Sequence, residues 1–219
     1  MPNADDPRRL CARADRARLK GRVRRAIRLY ERALEAGPEN STIRRKLAPL
    51  LARSRRFDEA WVCYQAAADS LESRGFEARS AGLMREATTL LPRNDAAWRR
   101  LAALLHGLGR TTDARNALLE ARPFFRGRRH RPAAVELLGD AFRMAPDDAA
   151  IGLELATLLR KTRQRDASRV VLQRLLERVP SEDRRLRFEL FRSSPSLDSL
   201  GDLIRAMRQP VRPVSREAR

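Results

Sequence analysis

Acid–base and nucleophilic chemistry needs paired carboxylates, or a histidine or cysteine held against a partner, and this chain of 219 residues offers few such sets. The adjacent carboxylates that invite a catalytic reading are Asp5 with Asp6 and Asp147 with Asp148. Both pairs fit helix capping, where a carboxylate accepts hydrogen bonds from free amides and meets the positive end of the helix dipole. His106 and His130 have no ligand partner at metal-binding spacing and read as ordinary, partly exposed side chains. Cys11 and Cys63 fall in helical segments and read as reduced, buried thiols. Neither a glycine-rich phosphate loop nor a nucleophile-elbow serine occurs. The sequence therefore gives no catalytic residue, no cofactor and no metal, and the chain is read as a non-enzyme.

What remains is charge. Lysine and arginine number 47 against 28 acidic residues, a net +19, and only Lys20, Lys46 and Lys161 are lysines. An arginine bias of this kind follows from a GC-rich genome as readily as from selection for binding. The charge is still uneven: residues 1–56 carry net +11, residues 57–125 are neutral, and the remainder carries +8. Between Pro123 and Pro132, the segment Arg126 to Arg131 (RGRRHR) reads as a solvated basic turn.

These charges must be positioned by helices, because the small and apolar residues recur in a helical frame. With Ala26 as origin, Tyr30 lies four residues on, Ala33 seven on and Pro38 twelve on, while Gly21 lies five before and Ala14 twelve before. The same frame fits origins at Ala60, Ser80, Ala114, Ala134 and Ser168, at steps of 34, 20, 34, 20 and 34 residues. Two frames thus interleave into a super-period of 54. Small residues allow two helix axes to approach closely. Gly21, Gly75 and Gly109 fall where a first helix must end, and Pro38, Pro92, Pro146 and Pro180 where a second must end.

Through Ala14, Gly21, Ala26, Tyr30, Ala33 and Pro38, and again through Trp98, Leu101, Ala102, Leu105, Gly109, Ala114 and Ala121, the chain resembles the tetratricopeptide repeat family of 34-residue helical hairpins. The resemblance covers about Leu10 to Pro180. It implies an all-α protein, a right-handed α-solenoid of about 10 to 12 helices. Where origins stand 20 apart, one helix must serve two hairpins; Ala60 to Arg74 is the clearest case, giving three helices in each super-period. The equivalent helix after Ala114 should break at Arg122 and Pro123. Pro49 should kink the helix that Asn40 or Ser41 caps, and Asp58, Asp95, Asp113 and Asp147 should stand at helix starts. The expected organisation is a disordered lead (residues 1–7), a solenoid (8–180), capping or docking helices (181–208), the last of them capped by Ser196, and a loose basic tail (209–219). The run from Leu190 to Met207 is also similar to the helical lead-in of cyclic nucleotide-binding domains, but no β-roll follows, so nucleotide binding is not carried over.

The resemblance also implies that the first helix of each hairpin lines a concave groove in which a partner segment lies. The groove-facing residues are then Arg45, Lys46 and Arg53, then Arg99, Arg100 and His106, and finally Arg160 and Lys161. The basic pairs Arg45–Lys46 and Arg99–Arg100 stand one super-period apart, as one repeated surface requires. A basic groove favours an acidic segment of a partner protein, making the chain a scaffold or adaptor. Two further readings stay open: a nucleic-acid-binding helical repeat, weakened by 5% aromatic content, and a chaperone for a secretion or pilus-type client. No secretory signal and no membrane-length apolar run is present, so the expected compartment is the cytoplasm.

Overall fold

In the computed structural model, residues 6–178, 183–193 and 197–208 are described, and the fold is all-α. It divides into two compact units, Met1–Arg110 and Thr111–Arg219. Unit 1 holds α1 (Pro7–Leu19), α2 (Val23–Glu35), α3 (Ser41–Arg53), α4 (Phe57–Glu72), α5 (Glu77–Leu90) and α6 (Asp95–Gly107). Unit 2 holds α7 (Thr111–Ala121), a short 3-10 segment at Arg122–Phe125 and another at Arg128–His130, then α8 (Arg131–Met144), α9 (Ala149–Lys161), α10 (Arg165–Arg178), α11 (Asp183–Ser193) and α12 (Leu197–Arg208).

Helix starts recur one super-period apart, at Val23, Glu77 and Arg131; at Ser41, Asp95 and Ala149; and at Phe57, Thr111 and Arg165. Local chemistry fixes these boundaries. Asn40 accepts from the Ile43 amide at 3.2 Å, Asn94 from the Ala97 amide at 3.0 Å, and Asp148 from the Ala150 and Ile151 amides at 3.1 Å, so each caps the second helix of its period. The cap of α9 is thus Asp148; Asp147 instead pairs with Arg178 at 3.1 Å. Asp6 caps α1, and Pro7 takes its first position, where a missing amide costs nothing, so ordered helix begins before Arg8. α3 runs unbroken through Pro49.

The frame residues form the core. Ala14, Ala26, Tyr30, Ala33, Ala60, Tyr64, Ala68, Ser80 and Ala114 are fully buried, and each leucine buried beside them contributes about 1.5–3 kcal/mol. α4 packs on α3 and also on α5, so one helix does close two hairpins. In unit 2, α11 packs on α10 and touches α9, with Leu186 sealed beneath it while Phe188 stays half exposed. The expectations for Pro180, Ser196, residues 1–5 and residues 209–219 concern positions outside the described residues.

Candidate interaction surface

Pairs of helices joined by frame logic meet through charge, and the contact recurs. In the first pair, Asp15 of α1 accepts from Lys46 Nζ of α3 at 2.8 Å and from the buried Tyr30 hydroxyl at 2.6 Å. Burial pushes the Asp15 carboxyl up, but the hydrogen bonds from Lys46 and Tyr30 outweigh it and hold the group below the usual carboxylate range. Cys11 stands alongside, its Sγ 3.9 Å from Lys46 Nζ; burial raises its thiol pKa despite that cation, so the thiol form is favoured. Cys63 is buried and likewise raised.

In the second pair, Arg100 of α6 reaches Asp69 at 2.5 Å and Glu72 at 2.8 Å, both on α4. Glu72 is itself held by the buried Ser80 hydroxyl at 2.7 Å. Acid and cation stand 31 residues apart in both pairs. In the third, Arg122 at the end of α7 pairs with Glu154 of α9, 32 residues on. Glu154 takes the place that Lys46 and Arg100 hold in the earlier periods, so the polarity of the contact is inverted.

The expected groove residues therefore have different surroundings. Lys46 and Arg100 are in intramolecular ion pairs. Arg160 faces Glu189 of α11 at 3.7 Å. Arg45, Arg53 and His106 lie at the surface, and Arg99 is half-buried. Lys161 is exposed at the rim of a cavity of about 470 Å³ in unit 2, together with Arg122, Arg126 and Arg131.

That cavity has a local cause. Pro123 ends α7 at Ala121, whereas α4, its counterpart one period earlier, is five residues longer. The 3-10 segment Arg122–Phe125 replaces the last α-helical turn and leaves Ala134 only half covered, while the other five frame origins are fully buried. Gly127, at φ 102°, turns the chain back toward α8, and His130 packs edge-on against the buried Phe125 at 6.2 Å. The basic run from Arg126 to Arg131 is thereby a turn with one face on a cavity. A second recess, about 280 Å³ in unit 1, is ringed by Arg13, Arg16, Lys20, Arg22 and Arg25 without any carboxylate.

The sequence pattern of cations did not point to Asp15, Asp69 and Glu72, although Asp15 and Asp69 themselves stand one super-period apart. Among the described residues, no group of three or more metal-ligating side chains occurs, and no helix is long and apolar enough to cross a membrane.

Helices in hairpins and their recurrence at one super-period define an all-α repeat protein. The sequence model of the tetratricopeptide repeat matches residues 11–70. Those residues are thus similar to the tetratricopeptide repeat, and proteins built from this repeat generally mediate protein–protein interaction. Among solved structures it is similar to MamA (15% identity over 89% of this chain and 92% of that one, TM-score 0.34). It is similar also to TTC0263, a thermophilic TPR protein in Thermus thermophilus (18%, 93% and 91%, TM-score 0.33). A third is YrrB, a TPR protein with an unusual peptide-binding site (13%, 84% and 91%, TM-score 0.30). No curated protein matches the sequence.

Proposed function

We propose that the chain is a non-enzymatic scaffold or adaptor that holds an acidic segment of a partner protein. The observation that carries this reading is the charge left over once the intramolecular pairs are formed. Lys46 and Arg100 are satisfied by carboxylates of the same chain, yet Arg45 and Arg53 of α3 remain at the surface and in no ion pair with a described carboxylate. An arginine that becomes desolvated against a partner carboxylate contributes on the order of 1.5–3 kcal/mol, against about 0–1 kcal/mol at an exposed rim.

The test is co-purification from a lysate followed by mass spectrometry, with wild type beside Arg45→Ala/Arg53→Ala. Lys46 and Arg100 are left intact because their loss would also unsettle the fold. Loss of an acidic partner at unchanged melting temperature supports the reading, and full retention counts against this face. The carboxylate-free ring of Arg13, Arg16, Lys20, Arg22 and Arg25 favours a second reading, binding of nucleic-acid phosphates. A gel shift whose affinity does not fall steeply with added salt would dismiss it.

A further inference from the structure

Resting on the reading of an acidic partner, we propose that the cavity of about 470 Å³ at the break after α7 is the anchor site for that partner: it takes a carboxylate together with one adjacent bulky apolar side chain.

The charge of the site is unbalanced. Of its four cations, Arg122 is paired with Glu154, the single carboxylate in the lining. Arg126, Arg131 and Lys161 form no ion pair with a described carboxylate. Three positive charges thus converge on a recess that the chain itself does not neutralise, and each is a charge-assisted donor for an incoming carboxylate.

The floor is apolar. Leu119, Ala134 and Leu158 are each partly uncovered there, between the fully buried Leu137 and Leu138. A volume of this size lies within the roughly 300–1,000 Å³ of pockets that enclose organic groups, and an apolar floor with a few convergent polar groups is the usual arrangement for such a pocket. A phosphate-rich strand fits less well. The ring in the lining, Phe125, is 4% exposed and offers no face on which a base could stack. Cation and floor together match an acidic residue next to a tryptophan, phenylalanine or leucine, the kind of aromatic or aliphatic anchor that carries binding energy at interfaces.

The site exists only because the frame is broken. Had Arg122–Phe125 continued α7 as α-helix instead of tightening into a 3-10 segment, its residues would lie over Ala134 as the end of α4 lies over the buried Ser80, which donates to Glu72. Arg122 and Pro123 therefore exchange a sealed hairpin for an open recess and supply one of its cations.

The experiment is a selection of random 12-residue peptides displayed on phage against the whole protein, with chosen peptides then measured by fluorescence anisotropy. Two variants separate the components: Arg126→Ala/Arg131→Ala/Lys161→Ala removes the unpaired charge, and Ala134→Phe fills the floor without changing charge. Circular dichroism melts confirm that each is folded. The expected result is enrichment of Asp or Glu beside Trp, Phe or Leu, with affinity falling about tenfold or more in both variants. If acidic peptides are enriched but keep their affinity in both variants and lose it in Arg45→Ala/Arg53→Ala, the anchor site is wrong while the acidic-partner reading stands. Without enrichment of acidic residues, both fall. Displacement of the selected peptides by a 20-nucleotide single-stranded DNA, with affinity unchanged by Ala134→Phe, would replace the proposal with phosphate binding.

Discussion

The α4/α6 pair and the α7/α9 pair occupy the same places in successive periods, yet one is closed and the other open. In the first, Arg100 is one-fifth exposed and tied to both Asp69 and Glu72. In the second the ion pair is inverted, both partners are more than a third exposed, and the helix that should cover the floor stops at Ala121. The packing slot at residue 98 differs in the same way. Trp98 fills it in α6, donating from Nε1 to the Pro92 carbonyl at 3.0 Å, and Arg44 makes the corresponding bond to Pro38 in α3. In α9 the slot holds Gly152, and Leu175 and Phe142 fill the space instead. The difference teaches that the frame fixes where helices start, while residues inside a slot decide whether a hairpin is sealed by its own side chains or by its neighbours.

The largest effects should come from that slot. Trp98→Ala removes a nearly buried ring and leaves a void, so a loss of about 3–5 kcal/mol in urea unfolding is expected. Gly152→Ala adds a single methyl, but its Cβ would stand 2.4 Å from Leu175 Cδ1 and 2.9 Å from Phe142 Cε2. Leu175 is fully buried, so overpacking of about 1–3 kcal/mol is expected, reduced by the roughly 0.5–1 kcal/mol that alanine gains over glycine inside a helix. If Gly152→Ala stabilises by that full helix gain, the third slot is loose rather than filled, and the contrast with Trp98 fails. Next in size is the pair of charge deletions. Arg100→Ala strands two carboxylates and should cost about 1.5–3 kcal/mol, whereas Arg122→Ala breaks an exposed pair and should cost about 0–1 kcal/mol. Equal losses would show that the two contacts are energetically alike despite their exposure.

Sequence made the backbone plan legible because its determinants are local. Asn40, Gly21, Gly75 and Gly109 act within one turn of themselves, and Pro123 removes an amide and crowds the turn just before it, where α7 ends. The shared helix at α4 was legible too, since Ala60, Tyr64 and Ala67 serve one frame and Ala68 and Leu71 the other. The surface was less so. Whether Lys46 or Arg100 is available depends on a carboxylate 31 residues away, and a search among cations does not see it. Arg160 pairs with Glu189 on a helix that falls outside the frame, so the repeat pattern does not show that contact. The cavity at Ala134 follows from the break that Arg122 and Pro123 mark, but its floor comes from α8 and α9, and the break alone does not say which of their side chains it uncovers.

The first contact of the series, Asp15 with Lys46, should weaken in acid. The Asp15 carboxyl is held low in the fold, so its stabilising share is fully present above the ordinary carboxylate range and is lost as pH falls through the lowered value. Lys46→Met removes the strongest contact that lowers it. The two side chains are about one-third exposed, and the expected cost is about 1 kcal/mol at pH 7, narrowing as pH drops below about 4. Urea unfolding at pH 7, 5 and 3 checks this, with the surface residue Arg45→Met as a control whose effect should stay flat. A gap that persists unchanged at pH 3 would mean that Lys46 acts through its stem rather than through its charge.

The smallest effect lies in the turns that close the periods. Arg55, Gly109 and Arg163 stand at equivalent places in three successive periods, with φ of 62°, 75° and 66°. Only the glycine takes this left-handed conformation without a clash between its own Cβ and the backbone, which costs other residues about 1–2 kcal/mol. Glycine also loses more backbone entropy on folding, an offset of roughly 0.5–1 kcal/mol. Arg55→Gly should therefore stabilise by about 0.5–1 kcal/mol, and Gly109→Arg should destabilise by a similar amount, since a Cβ there meets open space and only the backbone objects. Thermal melts of the two variants, alone and combined, would separate strain from context. A loss on Arg55→Gly would mean that the arginine side chain holds that turn through contacts worth more than its strain, and that the two arginine turns are built differently from the glycine one.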